Sequence, residues 1–129
     1  MLLSLLTDDT CRRATVKALI WCSVAFFGPV QGGVSHAVTI AERESGLQPS
    51  ATSPTGCKGV YQFCPTTWAT LIDSWPRMNA ALGTNAYNAR SNVMRAIRLA
   101  HESGWGPWAA TNYVKESIHM VKESTKGGR

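Results

Sequence analysis

The chain has 129 residues, of which 44% are hydrophobic and 16% charged, a composition typical of a single globular domain that needs neither metal nor partner to bury one core. Thirteen Lys and Arg against eight Asp and Glu give a formal charge of +5, which favours an anionic partner. The basic residues are scattered, without an aromatic-interleaved run or zinc-finger spacing, so we expect no nucleic-acid partner.

The first predicted element is a core helix from about Arg12 to Phe27. Its apolar residues recur at helical spacing: Val16, Leu19, Ile20, Val24 and Phe27. The apolar run Ala18–Val30 is too short to span a bilayer, so we expect no integral membrane segment. The alternative is a signal peptide cleaved after Ala37, which would remove most of the next helix.

The second predicted helix carries Glu44 on its apolar face and ends at Gly46. Ala37, Ile40 and Ala41 lie seven, four and three positions before Glu44 and therefore share its face. Burial and the negative end of a helix dipole both favour the protonated form of a carboxyl group, which is the form that a general acid requires. The alternative is an ordinary terminal Glu that points into solvent.

A loop from Leu47 to Lys58 follows, rich in Pro, Ser and Gly, and then a short β-like segment over Gly59–Phe63. Cys57 and Cys64 flank that segment and form either a disulfide or two free thiols. Cys11 and Cys22 would lie about 16 Å apart on one helix, too far to pair. Without a CxxC spacing or a nearby His, we expect no metal.

The rest of the chain is predicted to be helical. Pro65 begins a helix that ends at Pro76 and buries Trp68, Leu71, Ile72 and Trp75. A linker is expected over 78–84, then a helix that Asn85 or Asn88 caps and that ends near Gly104. Its apolar face consists of Val93, Ala96, Ile97 and Ala100. A last helix around Val114, Ile118 and Val121 precedes a mobile basic tail, residues 123–129.

Two separated motifs carry a family resemblance. The order Glu44, Ser45, Gly46, Pro49, Gly56, Gly59, Gln62, then Pro65, Thr67 and Trp68, resembles the catalytic core of soluble lytic transglycosylases and goose-type lysozymes, and GWGPW at 104–108 continues it. The resemblance spans about residues 30–112. It implies a mainly α, lysozyme-like α+β fold: a helical bundle around a buried Glu-bearing helix with one short β-hairpin-like excursion, the core of one domain running over about 12–122.

The resemblance also implies a set of site residues. Glu44 is expected to be catalytic, and the substrate is expected to contact Ser45, Tyr61, Gln62, Phe63, Trp105, Trp108, Thr111 and Asn112. Trp105 and Trp108 either stack on sugar rings or pack in the core, and at least one of Tyr61 and Phe63 should point inward. Many relatives have a Tyr where this chain has Thr111. The segment 86–89 resembles that motif in letters, but we interpret it as structural.

The implied activity is cleavage of the β-1,4 bond between N-acetylmuramic acid and N-acetylglucosamine in peptidoglycan strands, without a cofactor. Glu44 would act first as acid and then as base, forming 1,6-anhydromuramic ends. The alternatives are a hydrolytic muramidase with the same Glu, and a wall-binding or virion module without catalysis. We expect the protein to act on the bacterial cell wall, as a phage-encoded enzyme released at lysis or carried in the virion. The residues do not indicate the oligomeric state.

Overall fold

A computed structural model describes residues 15–108, which form a mainly helical domain as predicted. The helices, in chain order, are α1 Val16–Phe27, α2 Gly33–Ser45, α3 Pro65–Ser74, α4 Pro76–Leu82 and α5 Ala89–Ser103. The predicted helix around Val114 and the basic tail lie outside the described residues.

Helix α1 begins four residues later than predicted. The Thr15 side chain accepts a hydrogen bond from the Ala18 backbone N–H at 3.2 Å, which caps the helix and sets its start at Val16. Because α1 does not reach back to Cys11, the premise that one helix holds Cys11 and Cys22 is wrong. Cys22 is disulfide-bonded.

Helix α2 ends where the sequence predicts. Gly46 adopts the left-handed conformation with φ 66° and ψ 31°, and its backbone N–H reaches the carbonyl groups of Ala41 and Glu42. This is the cap that glycine favours, because a residue without Cβ enters that conformation without steric cost. The last turn of α2 therefore carries Glu44 directly before the cap.

The segment predicted as a linker over 78–84 is instead mostly helix α4. Pro76 does end α3, but it also starts α4, since proline fits the first turn of a helix, where its missing N–H has no intrahelical partner. Met78 and Leu82, one turn apart, bury their side chains against Met94 of α5. That i, i+4 apolar pair was the helical signal in the segment.

The predicted strand over Gly59–Phe63 is a tight turn, and only isolated bridges surround it. Lys58 and Phe63 exchange two backbone hydrogen bonds of 2.9 and 3.0 Å, and Lys58 also bridges Thr52. The chain between them cannot be extended because Gly59 has φ 85° and Gln62 has φ 53°. A disulfide joins Cys57 and Cys64 just outside this pair. We call residues 57–64 the clamped turn.

The core lies between α5 and the two helices α1 and α2. Helix α1 packs against α5 and α2, and α4 packs against α3 and α5. The predicted apolar face of α5 is confirmed, since all four of its residues are buried: Val93, Ala96, Ile97 and Ala100. Asn88 caps α5 through its side chain, which accepts from the Ser91 N–H at 2.9 Å. Over residues 15–108, no helix is long and apolar enough to cross a membrane.

Candidate active site

Glu44 occupies the buried face of α2, as its position on the apolar stripe predicts. Only 7% of its surface is exposed, and the residues one and two turns before it are fully or almost fully buried: Ala37, Ile40 and Ala41. Its neighbours Glu42 and Arg43 are exposed. The carboxyl group therefore lies on the side of α2 that faces the rest of the molecule.

Ser45 ties the end of α2 to the clamped turn. Its hydroxyl donates to the Val60 carbonyl at 2.8 Å and accepts from the Gln48 backbone N–H at 3.1 Å. This contact is with backbone, whereas the sequence suggested a contact with the acid or with substrate. The bond fixes the distance between Glu44 and the turn that precedes α3.

Asn92 of α5 fixes the backbone of the clamped turn through hydrogen bonds, a role that was not predicted from the sequence. Its Oδ1 accepts from the Tyr61 backbone N–H at 2.8 Å, and its Nδ2 donates to the carbonyl groups of Lys58 and Ala86 at 3.1 and 2.9 Å. The side chain is fully buried and fully engaged. A polar residue beside the apolar stripe of α5 was the available signal, since buried amides require partners.

Gly59 is required where the clamped turn approaches Asn92. A Cβ atom at this position would collide with the Ala86 carbonyl oxygen and with the Asn92 side-chain amide. The positive φ of 85° independently disfavours any residue with a side chain. The glycine of the motif therefore allows two backbone segments and one amide to meet.

Gln62 lies in the turn and uses its side-chain amide within it. Its Nε2 donates to the carbonyl groups of Ala51 and Gly59 at 3.1 and 3.0 Å, and 4% of the residue is exposed. The sequence predicted a β-like segment here, and the described residues form a turn instead. Gln62 thus helps to shape the turn next to α2, and its contact with substrate stays a prediction.

Tyr61 and Phe63 both point inward, which confirms that at least one of them should. Tyr61 is fully buried, and its hydroxyl donates to the Ala37 carbonyl of α2 at 2.7 Å. Desolvation by burial raises the pKa of this phenol well above its usual value, so the hydroxyl keeps its proton as a donor. Tyr61 is a second link between the clamped turn and the helix of Glu44.

Trp105 and Trp108 complete an aromatic cluster with Tyr61 and Phe63. Their indole N–H groups donate to the Gln31 and Tyr61 carbonyl groups at 2.8 and 3.0 Å. The two tryptophan rings are 5.2 Å apart and expose 6% and 1% of their surface. Since stacking on a sugar needs an open ring face, this burial favours the core alternative for both. Thr111 and Asn112 lie outside the described residues.

Arg95 is the second buried polar anchor that the sequence analysis missed. Its guanidinium donates to the Asn79 Oδ1 at 2.6 Å and to the Gly83 carbonyl at 3.1 Å, and also to the backbone carbonyl and hydroxyl of Ser91. It lies 5.0 Å from the Trp68 ring centroid. Burial lowers the pKa of Arg95 to about 10, which leaves it charged at neutral pH. Arg95 holds the chain between α4 and α5 in place.

Two surface cavities flank the clamped turn. A cavity of about 200 Å³ is lined by Phe63, Cys64, Thr67, Pro107 and Trp108. A larger one of about 320 Å³ lies between the turn and the segment before α5, with Lys58, Trp68 and Tyr87 among its walls. Glu44 lines neither. No group of three His, Cys, Asp or Glu side chains that could hold a metal ion occurs within residues 15–108.

Glu44 is the one buried carboxyl group in the described part of the chain. Glu42 and Asp73 are exposed, and Glu102 pairs with Arg98 at 3.1 Å on the surface of α5. A single carboxyl group can donate a proton to a leaving oxygen and later accept one, but it cannot supply a second carboxylate as nucleophile or as base for water. The arrangement suits proton transfer at one centre.

Comparison with known proteins identifies one family. The family described as the transglycosylase SLT domain matches residues 32–103, more than half of the chain. The matched range begins just before α2 and ends with α5, so it contains Glu44, the clamped turn and Asn92. No curated protein and no solved structure matches.

Proposed function

Since this chain belongs to the transglycosylase SLT domain family, whose members cleave glycosidic bonds of peptidoglycan, we propose that Glu44 is its catalytic acid and base. The observation that carries the proposal is the burial of this one carboxyl group at the end of α2. Ser45 and Tyr61 fasten the same helix to the clamped turn, so the carboxyl group is held on a rigid support.

The reaction begins with protonation of the glycosidic oxygen by Glu44. The bond between this oxygen and C1 of N-acetylmuramic acid breaks, and positive charge develops at C1. Glu44, now a carboxylate, takes the proton of the 6-hydroxyl group of the same sugar, whose oxygen attacks C1 and closes a 1,6-anhydro ring. The substrate supplies its own nucleophile, and Glu44 ends the cycle protonated.

Within residues 15–108 Glu44 is the single buried carboxyl group, which favours this route over hydrolysis. A hydrolase of the usual type places two carboxyl groups on either side of the bond. Asp73 and Glu102, the remaining acids after α2 within residues 15–108, are exposed on the outer faces of α3 and α5. Muramidase activity, in which Glu44 acts on a positioned water, is the rival outcome of the test.

Further elements of the proposal concern substrate contact and location. Gln62 and Phe63, with Thr111 and Asn112 beyond the described residues, are proposed to line the path of the glycan strand.

Cys57, Cys64 and Cys22 are all disulfide-bonded, and disulfides persist in oxidising compartments. We therefore place the activity outside the cytoplasm, at the bacterial wall. Phage origin stays a prediction from the sequence.

Glu44→Gln is expected to lower the rate of peptidoglycan cleavage at least about a hundredfold, the lower limit for losing a general acid. Purified sacculi are digested by both proteins in water enriched in heavy oxygen, and the released muropeptides are identified by mass spectrometry. Wild type should release 1,6-anhydro ends that contain no heavy oxygen.

The matched control is Glu42→Gln, the same change two residues away on the exposed side of α2. It should cleave at the wild-type rate. Reducing ends that carry heavy oxygen would show that the protein is a muramidase and not a transglycosylase. Turnover by Glu44→Gln equal to wild type would overturn the role of Glu44, and no release by wild type would indicate a binding module.

A further inference from the structure

The larger cavity beside the clamped turn has the composition of a binding site for a small charged group. Its walls include Phe63, Trp68, Thr84, Asn85 and Tyr87, together with Lys58. Its volume of about 320 Å³ lies within the range of small-molecule sites in proteins. Apolar walls with a few polar groups are typical of such sites.

The walls of this cavity are held in place by hydrogen bonds. The Trp68 indole N–H donates to the Thr84 carbonyl at 2.9 Å, which joins two of the lining residues. The Tyr87 hydroxyl lies 2.6 Å from the Thr52 hydroxyl. Asn92 holds both Lys58 and Ala86 through their carbonyl groups. A preformed site of this kind avoids much of the ordering cost of binding.

Lys58 is the one charged residue in the wall. Its ammonium lies 5.5 Å from the centroid of the Tyr87 ring, and within residues 15–108 the only ion pair is between Arg98 and Glu102. The three N–H donors of Lys58 therefore have no carboxylate partner in this part of the molecule. A carboxylate is the complementary ligand, since charge-assisted hydrogen bonds are the strong ones.

The clamped turn connects the wall of this cavity to the helix of the proposed catalytic residue. The Ser45 hydroxyl, next to Glu44, contacts the carbonyl of Val60, and Val60 follows Lys58 by two residues, at most about 7 Å of chain. Peptidoglycan, the polymer proposed as the substrate of Glu44, itself carries carboxylates. In that polymer the lactyl carboxyl is joined to the peptide by an amide bond, so the free carboxylates belong to the peptide branch.

We propose that this cavity binds a carboxylate of the peptide branch of peptidoglycan, with Lys58 as its charged partner and Trp68 and Tyr87 as walls. The inference rests on the proposed function, because it takes the polymer at Glu44 as given. It adds a substrate requirement: strands that carry peptides bind more tightly than bare strands, and the difference depends on one ammonium group.

The test measures binding in a background that does not turn over. Soluble disaccharide-peptide fragments are titrated calorimetrically into Glu44→Gln and into Glu44→Gln with Lys58→Met. The second variant should bind about tenfold more weakly, the effect expected for one lost hydrogen bond to a charged group. Lys58→Arg should retain most of the affinity. The proposal would be overturned if Lys58→Met left the affinity unchanged, or if Lys58→Arg lowered it as much as Lys58→Met.

Two further arms identify the carboxylate as that of the peptide. Fragments whose peptide carboxylates are amidated should bind the Lys58 protein as weakly as the Met variant binds the free acid. Peptide-free strands, prepared with an amidase and with the newly freed lactyl carboxyl groups then capped as methyl amides, should bind both proteins equally. A loss with Lys58→Met that persists on peptide-free strands would assign the ammonium to the glycan and overturn the inference.

Lys17→Met provides the matched control, since Lys17 is an exposed lysine on α1 that lines neither cavity. It should leave the affinity unchanged, and a loss equal to that of Lys58→Met would show a general charge effect and contradict the site. Because no step requires turnover, an inactive wild type would overturn the proposed chemistry while this binding result still stood.

Discussion

Single residues in this molecule act on the site mainly by holding backbone. Asn92 makes three hydrogen bonds to three separate backbone groups, and the Ser45 hydroxyl makes two to groups in different segments. Neither side chain has an apolar substitute, because a buried amide or carbonyl left without its partner costs about 1–3 kcal/mol. The position of Glu44 thus depends on polar residues that themselves do no chemistry in the proposed reaction.

Gly59→Ala should destabilise the protein by about 3 kcal/mol or more, because the new Cβ displaces Asn92 and the Ala86 carbonyl as well as straining the backbone. Gly46→Ala is the matched control: it has a similar positive φ of 66° but nothing within 4 Å of the added Cβ. It should lose only about 1 kcal/mol, the strain of the left-handed conformation. Denaturant unfolding measures both, and equal losses would contradict the close approach at Gly59.

Elements of secondary structure matter here chiefly at their ends. Helix α2 presents Glu44 in its last turn, α3 starts directly after the clamped turn, and Asn88 caps α5 directly after the walls of the larger cavity. Three backbone hydrogen bonds lie within the turn, two between Lys58 and Phe63 and one from the Gln62 N–H to the Gly59 carbonyl, too few to persist alone. Its disulfide, Asn92 and Ser45 provide the remaining constraints.

The double variant Cys57→Ser/Cys64→Ser is expected to lose about 2 kcal/mol of stability, the estimate for opening a loop this short. The clamped turn should open before the rest of the molecule unfolds. The Lys58 and Phe63 amides should therefore exchange with solvent faster than amides of α5. Hydrogen exchange followed by NMR measures this. The substitution is preferable to a reductant, which would also open the disulfide of Cys22. Unchanged protection at Lys58 and Phe63 would indicate that the disulfide does not support the turn.

At the scale of the whole molecule, the hydrophobic core supports the site. The net charge of +5 attracts an anionic polymer over a longer range than any single contact. Helix α5 contacts both α1 and α4 and also carries Asn92 and Arg95, so packing and site geometry share one element. A substitution in α5 will therefore affect stability and activity together. The charge, in contrast, is spread over the sequence and favours any anionic partner.

Binding to sacculi should weaken several-fold as ionic strength rises from about 0.01 to about 1 M, since the Debye length falls from about 30 to about 3 Å. The Glu44→Gln variant is suitable because it leaves the polymer intact, and the measurement is the fraction of protein that sediments with sacculi. Insoluble chitin, a polymer of N-acetylglucosamine without carboxylates, is the control and should show little dependence on salt. Equal salt dependence on both polymers would contradict electrostatic attraction to the wall.

Local patterns in the sequence were sufficient for most of the helices and for the burial of Glu44. The stripe of α2, its end at Gly46, the cap at Asn88 and the apolar face of α5 depend on residues within one or two turns, and all were predicted. The linker over 78–84 was wrong because Pro76 both ends one helix and begins the next. The spacing of its neighbours placed Glu44 on the apolar stripe, and the family resemblance identified it as the candidate acid.

The tertiary structure alone decided how distant segments meet. Asn92, Arg95 and Lys58 acquire their partners from positions far away in the chain, and nothing in their local spacing specifies those partners. The same holds for the turn at Gly59–Phe63, whose backbone is bent by contacts with α2 and α5 rather than by its own β propensity. Helix periodicity is local and can be read along the chain, whereas the packing of a polar group is set by whatever the fold brings beside it.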